Sequence, residues 1–484
     1  MNISLTVFKD AEINKIHEYT LKLLENPGMQ IRNDRMLKVL AKKGAKVNFS
    51  KKIVCFTSGI IEETLDLLKN DYLQNKVPKY LNGVTSELTD KTGIQAKFGG
   101  ACIQYLDWKN RLFRDPAEID LINMVRLGQA IPEVATVGNP VIYLKNKDGT
   151  QVEPRLQRVK TASIIAKYTD KPGPTEVWNA KELEYLIEIG VVVRDGNDNY
   201  FKNPCFITAK ETIAPLILEE NASGVLLALA SKNLPCIVIP MPISGASSPV
   251  SLFGNVVIGN AEILATAAAI KALYPQARIV GGVISGSMDM ASGTANFATP
   301  EATLQDIGLA EVHEKLYGFN FGIGCYLDAK YPGIQNVIEK TFKYFTLATK
   351  NRFTCAVGLV NGGKCFSAEQ ALIDIQILQN IYRFFNITTE NNYEEIIELI
   401  RSVGIGGSFF QEEDTLKNYR KYLMVPELFD HTLSQGLEKD IKMDIVNKAS
   451  EKVGNILSKT DLYELDMERS KEIDDIVNRA EKYL

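Results

Sequence analysis

The sequence has 484 residues, 45% hydrophobic and 24% charged, with a formal net charge of −4. This is the composition of a globular chain with ample material for a core, and it excludes a disordered or low-complexity protein. The charges are interspersed without a basic stripe, so the expected partner is a small molecule or another protein rather than nucleic acid.

The opening stretch, MNISLTVFKDAEINK, lacks the apolar centre of a signal peptide, and no run of 18 consecutive apolar residues follows; a cytoplasmic location is expected. Residues 9 to 69 read as helices. Ile13, Ile16, Leu21, Leu23 and Leu24 recur near helical spacing, and Met36, Leu37, Val39 and Leu40 begin a second stripe. An N-terminal helical layer is therefore expected over 1–94, and an exposed apolar stripe on it would suit a homodimer.

From about residue 95 the pattern changes to short β-rich runs, each followed by a helical stretch. The expected strands are 96–103, 135–142, 174–179, 204–209, 235–241, 277–285, 319–327 and 353–360. Helix starts are marked by Asp115-Pro116-Ala117-Glu118, read as a capping carboxylate, an N1 proline and an N3 glutamate, and by Asn179 with Glu182, Thr299 with Pro300, and Ser367 with Gln370. A doubly wound open sheet fits the same periodicity. The count of eight favours an α/β fold of the (β/α)8 TIM barrel type over 95–385. Helices return over 386–484, a C-terminal helical region expected to pack on the barrel and to cover or flank its mouth.

In such a barrel the strand ends and the loops after them line the site. This ranking selects Gly99, Gly100 and Tyr105, then Asn139, Trp178, Thr208, Pro242, Ser244 and Gly245. It continues with Ser285, Gly286 and Asp289, then Tyr326, Asp328 and Lys330, then Asn361, Gly362 and Gly363. The glycines admit a ligand close to the backbone or only make turns. Trp178, Tyr105 and Tyr326 are faces of an aromatic box for a cation, or core. Lys330 is a Schiff-base amine, a carboxylate anchor or a surface lysine.

The three histidines, His17, His313 and His431, stand at no strand end and have no zinc-ligand spacing to each other or to a cysteine. The seven cysteines form no Cys-x-x-Cys pair and read as reduced, buried thiols. Nucleophile–base triads and metal hydrolysis lack their usual parts. The chemistry should depend on positioning more than on proton transfer.

Six segments, in order, carry a family resemblance: 98–116, 244–265, DMASG (289–293), TPEA (299–302), DAKYPGIQNVIEK (328–340) and 415–430. Together they resemble the trimethylamine methyltransferase family across nearly the whole chain. The resemblance implies a (β/α)8 protein that moves a methyl group from a methylamine to the Co(I) of cobalamin, a corrinoid carried by a separate partner protein rather than bound tightly by this chain.

In trimethylamine-specific members the fifth segment contains pyrrolysine, and the matching position here is Ile338. The chain therefore resembles the non-pyrrolysine branch, which demethylates glycine betaine and related quaternary amines. Such a nitrogen already bears the charge that makes a neutral tertiary amine a competent leaving group, so no general acid is required. A betaine carboxylate would need a donor, for which Lys330, Asn139 and the Gly99-Gly100 amides are candidates. Before Thr415, where family members often carry histidine, this chain reads Gln411-Glu412-Glu413-Asp414; these carboxylates help hold the cation or form a solvated turn. The rival expectations are a Schiff-base aldolase-type barrel using Lys330 and a betaine-binding sensor without catalysis.

Overall fold

The computed structural model describes residues 5–74, 94–318, 321–350, 353–386, 392–429, 431, 445–459 and 462–484. The chain is a mixed α/β protein whose central strands are parallel. They form two arcs. In the first, Ile94–Phe98 lies between Phe353–Val357 and Val134–Val137. In the second, the order is Ala209–Glu211, Cys236–Ile239, Ile279–Val283 and Phe321–Ile323.

The expected strand at 174–179 forms no ladder of its own. Pro172 and Pro174 lack the N–H that a ladder needs. The segment still sits between the arcs, because Val137 bridges to Pro172 and Thr175 N donates to Ile207 O at 3.1 Å. The strand expected at 204–209 is regular only over Ala209–Glu211, since Phe206 turns the backbone into the left-handed region at φ +57°. The first strand likewise ends at Phe98, where Gly99 takes φ +89°. Among the described residues no ladder joins Phe321–Ile323 to Phe353–Val357; residues 319, 320, 351 and 352, inside or beside these two expected strands, lie outside the described set.

One helix of a dozen residues or more follows each central segment, and sequence chemistry fixes where several of them begin. The Asn179 side chain accepts from Lys181 N and Glu182 N, Thr299 from Ala302 N, and Ser367 from Gln370 N. The start near Asp115 is displaced from its expected place. Glu118–Ala130 begins two residues later, with Asp120 accepting from Ala117 N while Arg114 chelates its carboxylate at 2.6 and 2.8 Å. Asp115 instead pairs with Lys145.

Helix Leu252–Leu273 is long and apolar enough to cross a membrane, yet most of it is buried in the protein. Several of its polar residues find partners inside: Asn260 donates to Thr20 and Tyr317, Lys271 pairs with Asp71, and Glu262 accepts from Leu216 N and Thr212. The N-terminal helices Asp10–Glu25, Asp34–Lys42 and Ser58–Leu73 pack on it. This layer is not purely helical as expected. Met29–Ile31, Lys46–Asn48 and Ile53–Cys55 form a small sheet that Ile217–Leu218 completes.

In the C-terminal region, Ile445–Leu457 packs on Ala368–Phe385 and Glu118–Ala130, and Met467–Tyr483 packs on Ala180–Val193 and Gln157–Tyr168. Both lie along the outer helices.

Candidate functional site

A cavity of about 970 Å³, counted with its opening, lies between the two arcs and is lined from all eight central segments. Its walls follow the two-residue period of strands. Lys97, Ile237 with Ile239, Ala209 with Glu211, Val280 with Gly282 and Ile284, Gly322 with Gly324 and Tyr326, and Thr354 with Ala356 all face it. Glycine makes room on the sixth and seventh segments: a Cβ on Gly282 would stand 3.2 Å from both Gly322 O and Ile239 Cγ1.

The apolar wall is interrupted by a compact set of charges. Glu176 and Glu211 both line the cavity, and Lys210 Nζ holds Glu176 Oε1 at 2.6 Å from the side. Lys97 lines it from the first segment, its stem packed over Gly138, where a Cβ would meet Lys97 Cε at 2.9 Å. Asn139 is buried and accepts from Glu176 N at 3.3 Å. Burial, and then the neighbouring charge of Glu176, push the Glu211 carboxyl up to about 7. Burial lowers the Lys97 amine against the opposing pull of Glu176 and Glu211. Tyr326 completes the wall. Its ring is tilted against Phe297 at 5.7 Å and seated on Gly363, where a Cβ would come within 2.3 Å of it, and its phenol is raised chiefly by burial.

Of the residues expected from sequence, Gly100, Asn139 and Tyr326 meet in this cavity. The others lie elsewhere. Gly99 is packed against Pro140, where a Cβ would be 2.5 Å from its Cα, so it makes the turn. Tyr105 sits in the hairpin of Gln104–Asp107 with Leu112–Arg114, under Arg114 at 5.0 Å. Trp178 is 56% exposed beside Arg158, and no three-sided aromatic box forms. Ser285 is buried with its N–H on Asp306 Oδ1, while Asp289 is held by its own turn through Ala291 N and Ser292 Oγ. Lys330 is exposed, as are Glu413 and Asp414. Ile338 is 63% exposed on helix Ile334–Ala348 and does not line the cavity.

The expected site residues omit Lys97, Glu176 and Glu211. For Lys97 and Glu176 the signal available was a charge inside an expected strand, which must face a lumen and find partners there, and Glu211 stands two residues past the expected strand 204–209. Among the described residues no group of three or more His, Cys, Asp or Glu side chains is arranged to hold a metal ion.

The sequence profile of the trimethylamine methyltransferase family (MTTB) matches residues 2–484. The chain belongs to this family. One relative within it, trimethylamine methyltransferase MttB of Desulfitobacterium hafniense (strain DSM 10664 / DCB-2), is 24% identical over 455 residues, covering 94% of this chain and 89% of the relative. The glycine betaine methyltransferase of Desulfitobacterium hafniense (strain Y51) is 23% identical over 460 residues, covering 93% of this chain and 92% of that protein. The crystal structure of Methanosarcina barkeri monomethylamine methyltransferase superposes with a TM-score of 0.50 at 13% identity, covering 92% of this chain and 87% of that one, and shares the fold.

Proposed function

We propose that this family member is a methyltransferase that takes a methyl group from a quaternary amine bearing a carboxylate, glycine betaine or a related betaine, and passes it to the Co(I) of a corrinoid protein. The central segments then close as a (β/α)8 barrel around the cavity, and the corrinoid partner approaches its mouth. The carrying observation is that Lys97 and the Glu176–Glu211 pair face one cavity from different segments, offering donors to a carboxylate and negative charge to a quaternary nitrogen.

Tyr326 adds an aromatic face to the cation side. In the step itself the C–N bond breaks with its electron pair remaining on nitrogen, and the methyl carbon bonds to cobalt. The protein's task is to orient the C–N bond and exclude water. No pyrrolysine occurs among the 484 residues, so no such electrophile is available to capture a neutral amine.

The test is incubation with free cob(I)alamin and a panel of amines, following methyl-Co(III) in the visible spectrum. Glycine betaine or a congener should give it and trimethylamine should not. Methylation from trimethylamine alone would refute the reading. A second reading has one observation in its favour, the lowered amine of Lys97, which suits a Schiff-base lysine. Borohydride reduction with carbonyl substrates would trap an adduct at Lys97 if that reading were correct.

A further inference from the structure

We propose that Asp328 and Lys343 are positioning residues of the cavity wall. Together they clamp Phe297, and Phe297 holds the ring of Tyr326 in the orientation that a quaternary ammonium requires. The inference rests on the reading of the cavity as a betaine site. It gives a role to the fifth family segment, residues 328–340, none of which lines the cavity among the described residues.

Tyr326 faces the cavity from the seventh segment, and its ring meets that of Phe297 at 5.7 Å with the planes tilted by 52°. Phe297 belongs to the sixth loop, at the foot of the hairpin of Gly286–Asp289 with Thr294–Asn296. A contact between two loops is only as fixed as the loops themselves, and loops are ordinarily the mobile part of a scaffold. Here the Phe297 backbone is gripped at both of its polar groups. Its N–H donates to Asp328 Oδ1 at 2.6 Å, and its carbonyl accepts from Lys343 Nζ at 2.6 Å. The next N–H, of Ala298, donates to Asp328 Oδ2 at 2.9 Å. All three bonds are charge-assisted, the stronger kind.

The two clamping charges are themselves held. Lys343 is buried and pairs with buried Asp306 at 3.2 Å, and the other oxygen of Asp306 accepts from Ser285 N at 2.6 Å, beyond the end of the sixth strand. The N–H groups of Asp328 and Ala329 both donate to Glu339 Oε2, at 2.9 and 3.0 Å, and Gln335 fastens the other oxygen of Glu339 at 2.7 Å. Helix Ile334–Ala348 thus reaches the sixth and seventh loops through Glu339 and Lys343. A buried ion pair gives little net stability over an apolar pair of the same volume, so what this one supplies is geometry. A binding face must be held to within about 0.5 Å by supporting bonds of this kind, and Tyr326 has them at one remove.

Two ligands of one shape separate the role: glycine betaine, and tert-butylacetate, in which carbon replaces the charged nitrogen. Titration calorimetry of the full chain gives the preference for the first over the second. Asp328→Asn, which turns an N–H toward one of the two donors, and Phe297→Leu, which leaves the backbone clamp intact, should each lower that preference about two- to thirtyfold, the range of one cation–aromatic contact. Phe297→Tyr should keep it. In a Tyr326→Leu background Asp328→Asn should lower it no further, an outcome that general loosening of the fold does not give. Fluorine NMR of fluorotyrosine-labelled protein follows the ring without any ligand, its resonance assigned by loss in Tyr326→Phe. That resonance should shift or split in Asp328→Asn. An unmoved resonance, or equal losses with and without Tyr326, would overturn the inference. A wild-type chain that does not prefer glycine betaine would instead refute the betaine reading, and the resonance alone would then decide the clamp.

Discussion

Removing the Glu211 carboxylate should abolish a specific pH dependence of substrate binding. Burial and the Glu176 charge raise this carboxyl from 4.5 to about 7, so it changes charge in the neutral range. A quaternary ammonium favours the ionised form, and binding must then release the proton held below pH 7. With a midpoint near 7, the ionised fraction falls about tenfold between pH 8 and pH 6, and the dissociation constant for glycine betaine should rise by about that factor. Glu211→Gln should flatten the profile. At pH 8 it should also weaken binding by up to about 3 kcal/mol, the interaction of two unit charges roughly 5 Å apart at an effective dielectric constant near 20.

Folding stability must move with the opposite sign. Because the folded-state value lies above the unfolded one, the native state holds the proton longer. The associated stability is fully present below pH 4.5 and is lost as pH rises through 7, by about 3 kcal/mol in all. Calorimetric titration and urea melts from pH 5 to 8, on wild type and Glu211→Gln, measure both. The reasoning fails if wild-type affinity is flat across this range, or if the variant keeps the same slope.

Three further outcomes follow from the site and its support. Lys97→Met should weaken glycine betaine by about 1.5–3 kcal/mol, the range for a hydrogen bond to a charged group, and leave choline, which has no carboxylate, nearly unchanged. Tyr326→Leu should raise the dissociation constant through loss of about 0.5–2 kcal/mol of cation–π attraction, whereas Trp178→Leu, lying outside the cavity, should change it less than about twofold. Behind the seventh and eighth segments, Lys340 pairs with Asp374 at 2.9 Å where both are buried; Lys340→Met should cost about 3–5 kcal/mol in a denaturant melt, because Asp374 would remain buried without its counter-charge.

Much of the architecture was legible because β-rich runs and caps are local signals. Asn179, Thr299 and Ser367 cap as their side chains dictate, since each needs only an N–H two or three residues ahead. Asp115 misled because the decision there is tertiary: Arg114 binds Asp107 and Asp120 together and moves the helix start onto Ala117. The third strand failed as a ladder through Pro172 and Pro174, a feature present in the sequence but outweighed by its β-rich neighbours. At the site, Asn139 and Tyr326 were accessible from their positions after strands. Glu176 and Glu211 could be noticed singly as charges in or beside expected strands, but their pairing could not, because it is a juxtaposition of two segments distant in sequence.

The charge balance of the cavity bears most directly on the kind of substrate. Two carboxylates face it, Glu176 and Glu211, and Lys210 Nζ already holds one of them at 2.6 Å. Lys97 lines the same space and feels the charge of both. A simple cation entering this site would find Glu211 but would leave the Lys97 amine without a ligand acceptor. An anion would meet the reverse difficulty at Glu211. A zwitterion satisfies both ends, its quaternary nitrogen beside Glu211 and Tyr326 and its carboxylate on Lys97. Discrimination between glycine betaine and choline should therefore depend on Lys97, and discrimination between glycine betaine and a simple carboxylate on Glu211. The double variant Lys97→Met with Glu211→Gln should lose much of both preferences while keeping the cavity's apolar walls.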